Sequence, residues 1–325
     1  MAQPNPEPPD SRAWIITGPT AGIGRHTALE LAKHGTVVLV GRNRAKLDDV
    51  EKEIEAQGGH ALSVVCDLSD ITSVRRAAAE IVTLGLPLAG LLNNAGIAST
   101  RSFQSAQGWD GTFATNHLGP FALTEALIPH LPDGANVVFV CSAVEDPERR
   151  PAVVAGFRGA RYLSAEACAR GEWAAGGSKR PGLDAYATSK QGNLATVFAF
   201  ARETPRLRFN GVEPGFSPGS DLGRDANMAL RLVARYVLSP LAPFIKYWST
   251  PKRAARVIAD VLTKDVPAGN ANRTGVYYDE TGQPMPGSVL VRDPAFQERV
   301  VAETRALLAT SPWKRRLPIA SRPDR

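Results

Sequence analysis

The most constraining stretch of this 325-residue chain is its first apolar run. Ala13-Trp14-Ile15-Ile16-Thr17 passes directly into Gly18-Pro19-Thr20-Ala21-Gly22-Ile23-Gly24, and a helical pattern follows through Leu29, Leu31 and Ala32. Strand, glycine turn and helix in this order make the setting that a phosphate-binding turn needs. Glycine lets the backbone approach a pyrophosphate closely, and free N–H groups at the helix start complement its charge. Gly18, Thr20, Gly22, Ile23 and Gly24 are therefore candidate binding residues. A plain tight turn has the same composition, so the rest of the chain must decide.

The pattern repeats. A second strand, Thr36 to Val40, is followed by a helix from Ala45 to Gln57 and a third strand, Ala61 to Cys66. Next come a helix of mixed charge and a fourth strand, Ala89 to Leu92. Later strands are expected at Asn136–Cys141, Leu207–Glu213 and Thr274–Tyr278, with helices over Leu183–Glu203 and Pro251–Thr263. Apolar strands alternating with amphipathic helices predict an α/β domain, a Rossmann-type doubly wound parallel sheet of about seven strands. Ligands of such sheets lie beyond the carboxyl ends of the strands. Those ends carry Gly18, Arg42 and Asn43, Asp67 and Leu68, then Asn94, Ala95 and Gly96, and finally Pro214 and Gly215.

At the second strand end, an acidic residue would bind the 2′-hydroxyl of NAD and repel a phosphate. The chain has Gly41-Arg42-Asn43-Arg44 there. The Arg42 guanidinium fork suits a 2′-phosphate and Arg44 stands close enough to assist, which favours NADP(H).

Tyr186-Ala187-Thr188-Ser189-Lys190 puts a phenol and an ammonium one helical turn apart on one face. A cation within reach is expected to lower a phenol pKa of about 10 by roughly 1–3 units, towards the range of acid/base work. Taken alone, such a pair is also what a solvated helix face produces.

In this order the motifs resemble the classical short-chain dehydrogenases/reductases over roughly residues 13–280. The match comprises Thr17 to Gly24, Asn93-Asn94-Ala95-Gly96, Asn116, Ser142, Tyr186 with Lys190, and Pro214-Gly215. Asn116-His117-Leu118-Gly119 is most similar to the branch of retinol dehydrogenases and related carbonyl reductases. The resemblance implies that Tyr186 exchanges a proton with the substrate oxygen as hydride moves to or from nicotinamide. It further implies that Lys190 lowers the phenol pKa and binds the nicotinamide ribose, that Ser142 polarises the substrate oxygen, and that Asn116 supports a water on the proton relay. The expected function is thus that of an NADP-dependent ketoreductase or alcohol dehydrogenase acting on a bulky apolar carbonyl or alcohol compound. A cofactor-binding regulator with the same fold is the alternative of another class.

Two stretches depart from the family pattern. The spacing from Ser142 to Tyr186 is much longer than usual, which predicts an insert at about 144–183 on the ligand side of the sheet. It is expected to cover either the face of the tyrosine helix or the substrate cleft; the first is favoured, and with it a monomer. Gly219 stands where the family commonly has a threonine for the carboxamide, so Ser220 is the candidate substitute. The segment at about 216–250 is read as a substrate lid, 1–12 as a disordered leader and 281–325 as a C-terminal extension with a loose basic tail.

Composition bounds the remaining classes. The formal charge of +6 comes from scattered Lys and Arg, which argues against a nucleic-acid partner. Cys66, Cys141 and Cys168 lack metal spacing and read as core residues in a reducing compartment, so no metal is expected and the cytoplasm is the expected location. Met228 to Tyr247 is the most apolar stretch, but charges and prolines interrupt it. It does not span a bilayer, and an interfacial anchor is the less favoured reading.

Overall fold

The computed structural model describes residues 12–99, 102–216, 247–264 and 274–310. All but the last residue of the expected leader at 1–12, the tail from 311, Ser220 and nearly all of the expected lid lie outside the described residues.

Seven parallel strands form one sheet in the order β3-β2-β1-β4-β5-β6-β7. They are β1 (Ala13–Thr17), β2 (Thr36–Gly41), β3 (Ala61–Val65), β4 (Leu88–Asn93), β5 (Asn136–Val140), β6 (Arg208–Val212) and β7 (Val276–Tyr278). Alternation along the strands sends side chains to two separate cores, because successive residues point to opposite faces. Ile15, Val38, Leu91, Val137, Phe139 and Phe209 pack into one core. Trp14, Ile16, Val37, Leu39, Leu92 and Val138 pack into the other. A sheet buried on both sides explains why its strands read as continuous apolar runs.

The second core is closed by α1 (Gly22–Leu31), α2 (Arg44–Ala56) and α6 (Pro251–Thr263). The first is closed by α3 (Ile71–Thr83), α4 (Gly119–Leu127), α5 (Pro181–Glu203) and α7 (Pro294–Thr310). Chain reversal in strand order falls between β1 and β4, and the candidate residues gather along the carboxyl edge there.

Three features differ from the sequence expectation or go beyond it. The stretch around Asn116 is a π-helical turn, Ala114–Leu118, rather than plain helix. The insert is mostly irregular, with short helices at Arg150–Val154 and Ala165–Ala169, the latter capped by Ser164 accepting from the Ala167 N–H at 3.1 Å. The C-terminal extension is folded into the domain through residue 310: α7 buries Phe296, Val300, Val301, Thr304 and Leu308. Glu303 on α7 also ties down the insert, accepting from the Tyr162 hydroxyl at 2.8 Å and the Ala165 N–H at 3.0 Å.

Candidate active site

The first glycine turn is shaped by contact rather than by flexibility alone. Gly18 has φ +66°, and a Cβ there would lie 2.9 Å from the Ala95 backbone. Only glycine meets both conditions. Ala21 opens α1 without a side-chain cap, and the first turn of α1 holds no acid. The leading N–H groups of α1 thus remain available to an anion, which fits the pyrophosphate of a dinucleotide.

Asn94 acts on this turn from the neighbouring strand. Its Nδ2 donates to the carbonyls of Thr17 at 2.8 Å and Gly18 at 3.1 Å. Thr17 Oγ1 in turn accepts the N–H groups of Asn94 and Ala95, both at 3.0 Å. The β1 and β4 ends are therefore one braced unit. Thr17, a buried strand-end threonine that opens the matched motif but is not among the candidate binding residues, is the partner that braces them.

At the β2 end, Arg42 is exposed and has no ion-pair partner among the described residues. Arg44, by contrast, is engaged by Asp48 at 2.7 Å, so the expected help from Arg44 is already committed within α2. The Asn43 side chain caps α2 by accepting from the Lys46 N–H at 3.1 Å. Asp67 closes the turn after β3, accepting from the Ser69 N–H at 2.9 Å and hydroxyl at 2.7 Å; Leu68 beside it is buried. Gly215 follows Pro214 with φ +77°.

Tyr186 and Lys190 stand on one face of α5, as their spacing predicts, and both are buried. Ser142, two residues beyond the end of β5, acts on the Tyr186 phenol and opposes its upward shift. Lys190 Nζ donates to the Val140 carbonyl at 2.7 Å and lies 5.6 Å from the Tyr186 ring centroid. Asn116 grips the backbone of Ile97 in both directions: it accepts from the N–H at 2.8 Å and donates to the carbonyl at 2.9 Å. The main-chain carbonyl of Asn116 accepts from Asn193 Nδ2 at 2.8 Å. Gly96 leaves the gap in which these groups meet, since a Cβ there would stand 3.4 Å from Lys190 Nζ and 3.6 Å from Asn116 Oδ1.

The electrostatics correct one expectation. The Tyr186 phenol is pushed up rather than down, because burial penalises the phenolate and the nearby Glu213 carboxylate adds to the effect, while Ser142 opposes both. Burial likewise pushes the Lys190 ammonium down. Helical spacing brings the two groups together, but the fold also removes both from water, and that cost sets the direction of both shifts. Glu213 is itself a finding, a buried acid at the end of β6 whose carboxyl is pushed up by burial. Its signal in the sequence is an acid set between an apolar strand and Pro214-Gly215.

The insert reaches this site and the helix behind it. The Phe157 ring lies 6.2 Å from that of Tyr186, whereas the Arg161 N–H binds Thr188 Oγ1 at 2.8 Å. All three cysteines are buried, with thiols pushed up to about 12 by burial. Among the described residues no cluster of His, Cys, Asp and Glu is arranged to hold a metal. Among them, too, no helix is long and apolar enough to cross a membrane.

Comparison with known proteins agrees with this geometry. Residues 12–153 match the family described as short chain dehydrogenase. A short-chain dehydrogenase/reductase of Armillaria gallica is 28% identical over 85% of this chain and 86% of its own length. The polyprenol dehydrogenase of Mus musculus is 39% identical over a shorter match, 38% of each chain. A short chain dehydrogenase from Escherichia coli CFT073, solved in complex with NADPH, superposes with a TM-score of 0.57 at 26% identity, covering 83% of this chain and 97% of that one. In its glycine turn, its strand order and its pairing of Tyr186 with Lys190, the chain is similar to the short-chain dehydrogenases/reductases.

Proposed function

We propose that the protein is an NADP-dependent oxidoreductase that interconverts a carbonyl and an alcohol group on a bulky apolar substrate. The observation that carries this reading is the juxtaposition of Ser142 with the buried Tyr186 phenol, with Lys190 one turn away on α5. Bound nicotinamide supplies or accepts the hydride. Tyr186 gives a proton to the carbonyl oxygen, or takes one from the alcohol in the reverse direction. Ser142 holds that oxygen with a short, fixed hydroxyl. Lys190 supports the phenol and reaches the ribose side, and Asn116 fixes the Gly96–Ile97 turn that borders them.

Three features support the finer points. Arg42 offers an exposed guanidinium, with no ion-pair partner among the described residues, where an adenosine 2′-phosphate is expected, so NADP(H) is the cofactor in this reading. The relative named a polyprenol dehydrogenase supports a long apolar substrate. Three buried thiols suit a reducing compartment such as the cytoplasm. A panel of ketones and aldehydes, short and long, with NADPH and read as loss of nicotinamide absorbance, tests the proposal. Turnover of long apolar carbonyls that Tyr186→Phe abolishes is the expected result. No turnover of any carbonyl or alcohol in either direction, by protein that binds NADPH, overturns it in favour of a cofactor-binding regulator.

A further inference from the structure

Glu213 stands just beyond β6 and is only 8% exposed, yet nothing in the proposed chemistry uses it. Its two carboxylate oxygens serve two different loops. Oε2 accepts from the Ala143 N–H, in the loop after β5, and Oε1 accepts from the Gly215 N–H at 3.2 Å, in the loop after β6. The Tyr277 hydroxyl of β7 donates to Oε2 at 3.4 Å.

The Ala143 N–H belongs to the peptide that joins Ser142 to Ala143. Holding it fixes the plane through which the extended Ser142, at φ −159° and ψ 136°, presents its hydroxyl. The Gly215 N–H belongs to the Pro214-Gly215 turn on the cofactor side. We propose that Glu213 is a positioning residue, a carboxylate clamp between these loops that holds the Ser142 hydroxyl in register with the Tyr186 phenol. The inference rests on the proposed reaction for its kinetic arm only.

A carboxylate suits this task better than any neutral side chain of the same length. Two N–H donors converge on two acceptor oxygens, whereas glutamine has one acceptor and would turn an N–H₂ towards the second donor. That donor would lose its partner inside the protein. The charged and titratable groups facing the clamp are Tyr186 and Lys190 from α5, Cys141 from β5, Arg149 from the insert, and Tyr277 and Glu280 from β7 and the turn after it.

The test compares wild type, Glu213→Gln and Glu213→Asp in melting temperature, NADPH affinity by fluorescence, and kcat and KM on a carbonyl substrate from the panel above. Glu213→Gln is expected to bind NADPH within about threefold of wild type and to lose about tenfold or more in kcat, and Glu213→Asp to recover part of that loss because it keeps both acceptor oxygens. A folded Glu213→Gln protein with kcat within about twofold of wild type overturns the proposal, because a merely structural acid would change melting alone. Amide hydrogen exchange on the wild-type protein is a second measurement that needs neither a folded variant nor a substrate. Slow exchange at both Ala143 and Gly215 is expected, and fast exchange at either overturns the clamp. Failure of the oxidoreductase reading would leave this exchange result intact, so the two failures are distinguishable.

Discussion

The ammonium of Lys190 is directed at the Val140 carbonyl, 2.7 Å away, and stands 5.6 Å from the centroid of the Tyr186 ring. In this arrangement burial, with the Glu213 carboxylate adding to it, keeps the phenol protonated well above neutral pH. That state suits donation of a proton to a carbonyl oxygen. Tyr186→Phe is expected to lower turnover by about a hundredfold or more while leaving NADPH binding nearly intact. Lys190→Ala should harm both turnover and binding. Near-normal turnover of the phenylalanine variant in the NADPH absorbance assay would remove Tyr186 from the chemistry.

The proposed preference for NADP(H) is tested at Arg42, which has no ion-pair partner among the described residues. Arg42 is exposed at the end of β2, while its neighbour Arg44 is paired with Asp48. Arg42→Ala should weaken NADPH by about tenfold, the worth of a charge-assisted contact, and leave NADH unchanged. Titration of both cofactors by fluorescence decides the matter. Equal losses would show that Arg42 does not read the 2′-phosphate.

Much of this arrangement was legible because parallel strands buried on both faces carry their own signature. Ile15, Ile16, Val37, Val38 and Leu39 are apolar without interruption, so strand positions and the ligand edge follow directly. The π turn at Ala114–Leu118 was not legible, since it depends on Asn116 meeting Ile97 and Asn193, which are distant in sequence. Glu213 was passed over because strand-end acids are usually solvated, and only the fold brings the Ala143 N–H to it. Helix α7 did carry a local cue in Asp293-Pro294, with Asp293 Oδ1 accepting from the Ala295 N–H at 3.0 Å. Its hydrophobic face is meaningful only against α5.

Acid stability turns on His117, which is fully buried between α5 and α7 and bonded to Asn193 at 3.2 Å and Thr304 at 3.1 Å. Burial pushes its pKa down to about 4. The unfolded chain therefore takes up a proton at higher pH than the native one, so the native state loses stability as pH falls from about 6.5 to about 4. The full effect is about 3 kcal/mol. Glu145 acts oppositely: burial pushes it up to about 7, so its contribution weakens as pH rises. The two effects offset each other in wild type, and the comparison must be with a variant. Wild type is expected to lose about 2.5 kcal/mol relative to His117→Gln between pH 7.5 and 4.5, measured by denaturant unfolding. An unchanged difference would mean that His117 is protonated in the native state.

The assembly prediction rests on Arg305. It joins α7 to both helices that short-chain dehydrogenases commonly use to pack against a neighbouring subunit, pairing with Glu125 of α4 at 2.5 Å and Glu203 of α5 at 2.6 Å. Beneath these exposed pairs, which themselves add little stability, Val300, Val301 and Leu308 are buried in the core that α5 lines. The insert covers the start of α5 through Arg161 and Thr188, and Trp173 sets its ring edge-on to Phe113 with centroids 6.2 Å apart. The insert does not cover this face alone; the C-terminal helix contributes a large part of the cover. An apolar helix face that already has a partner within its own chain gains little by meeting a second copy. Light scattering at micromolar concentration is therefore expected to give one chain, 34.7 kDa. A tetramer mass would show that assembly uses another surface or that α7 leaves α5 when subunits meet, and amide exchange along 294–310 would separate those two outcomes.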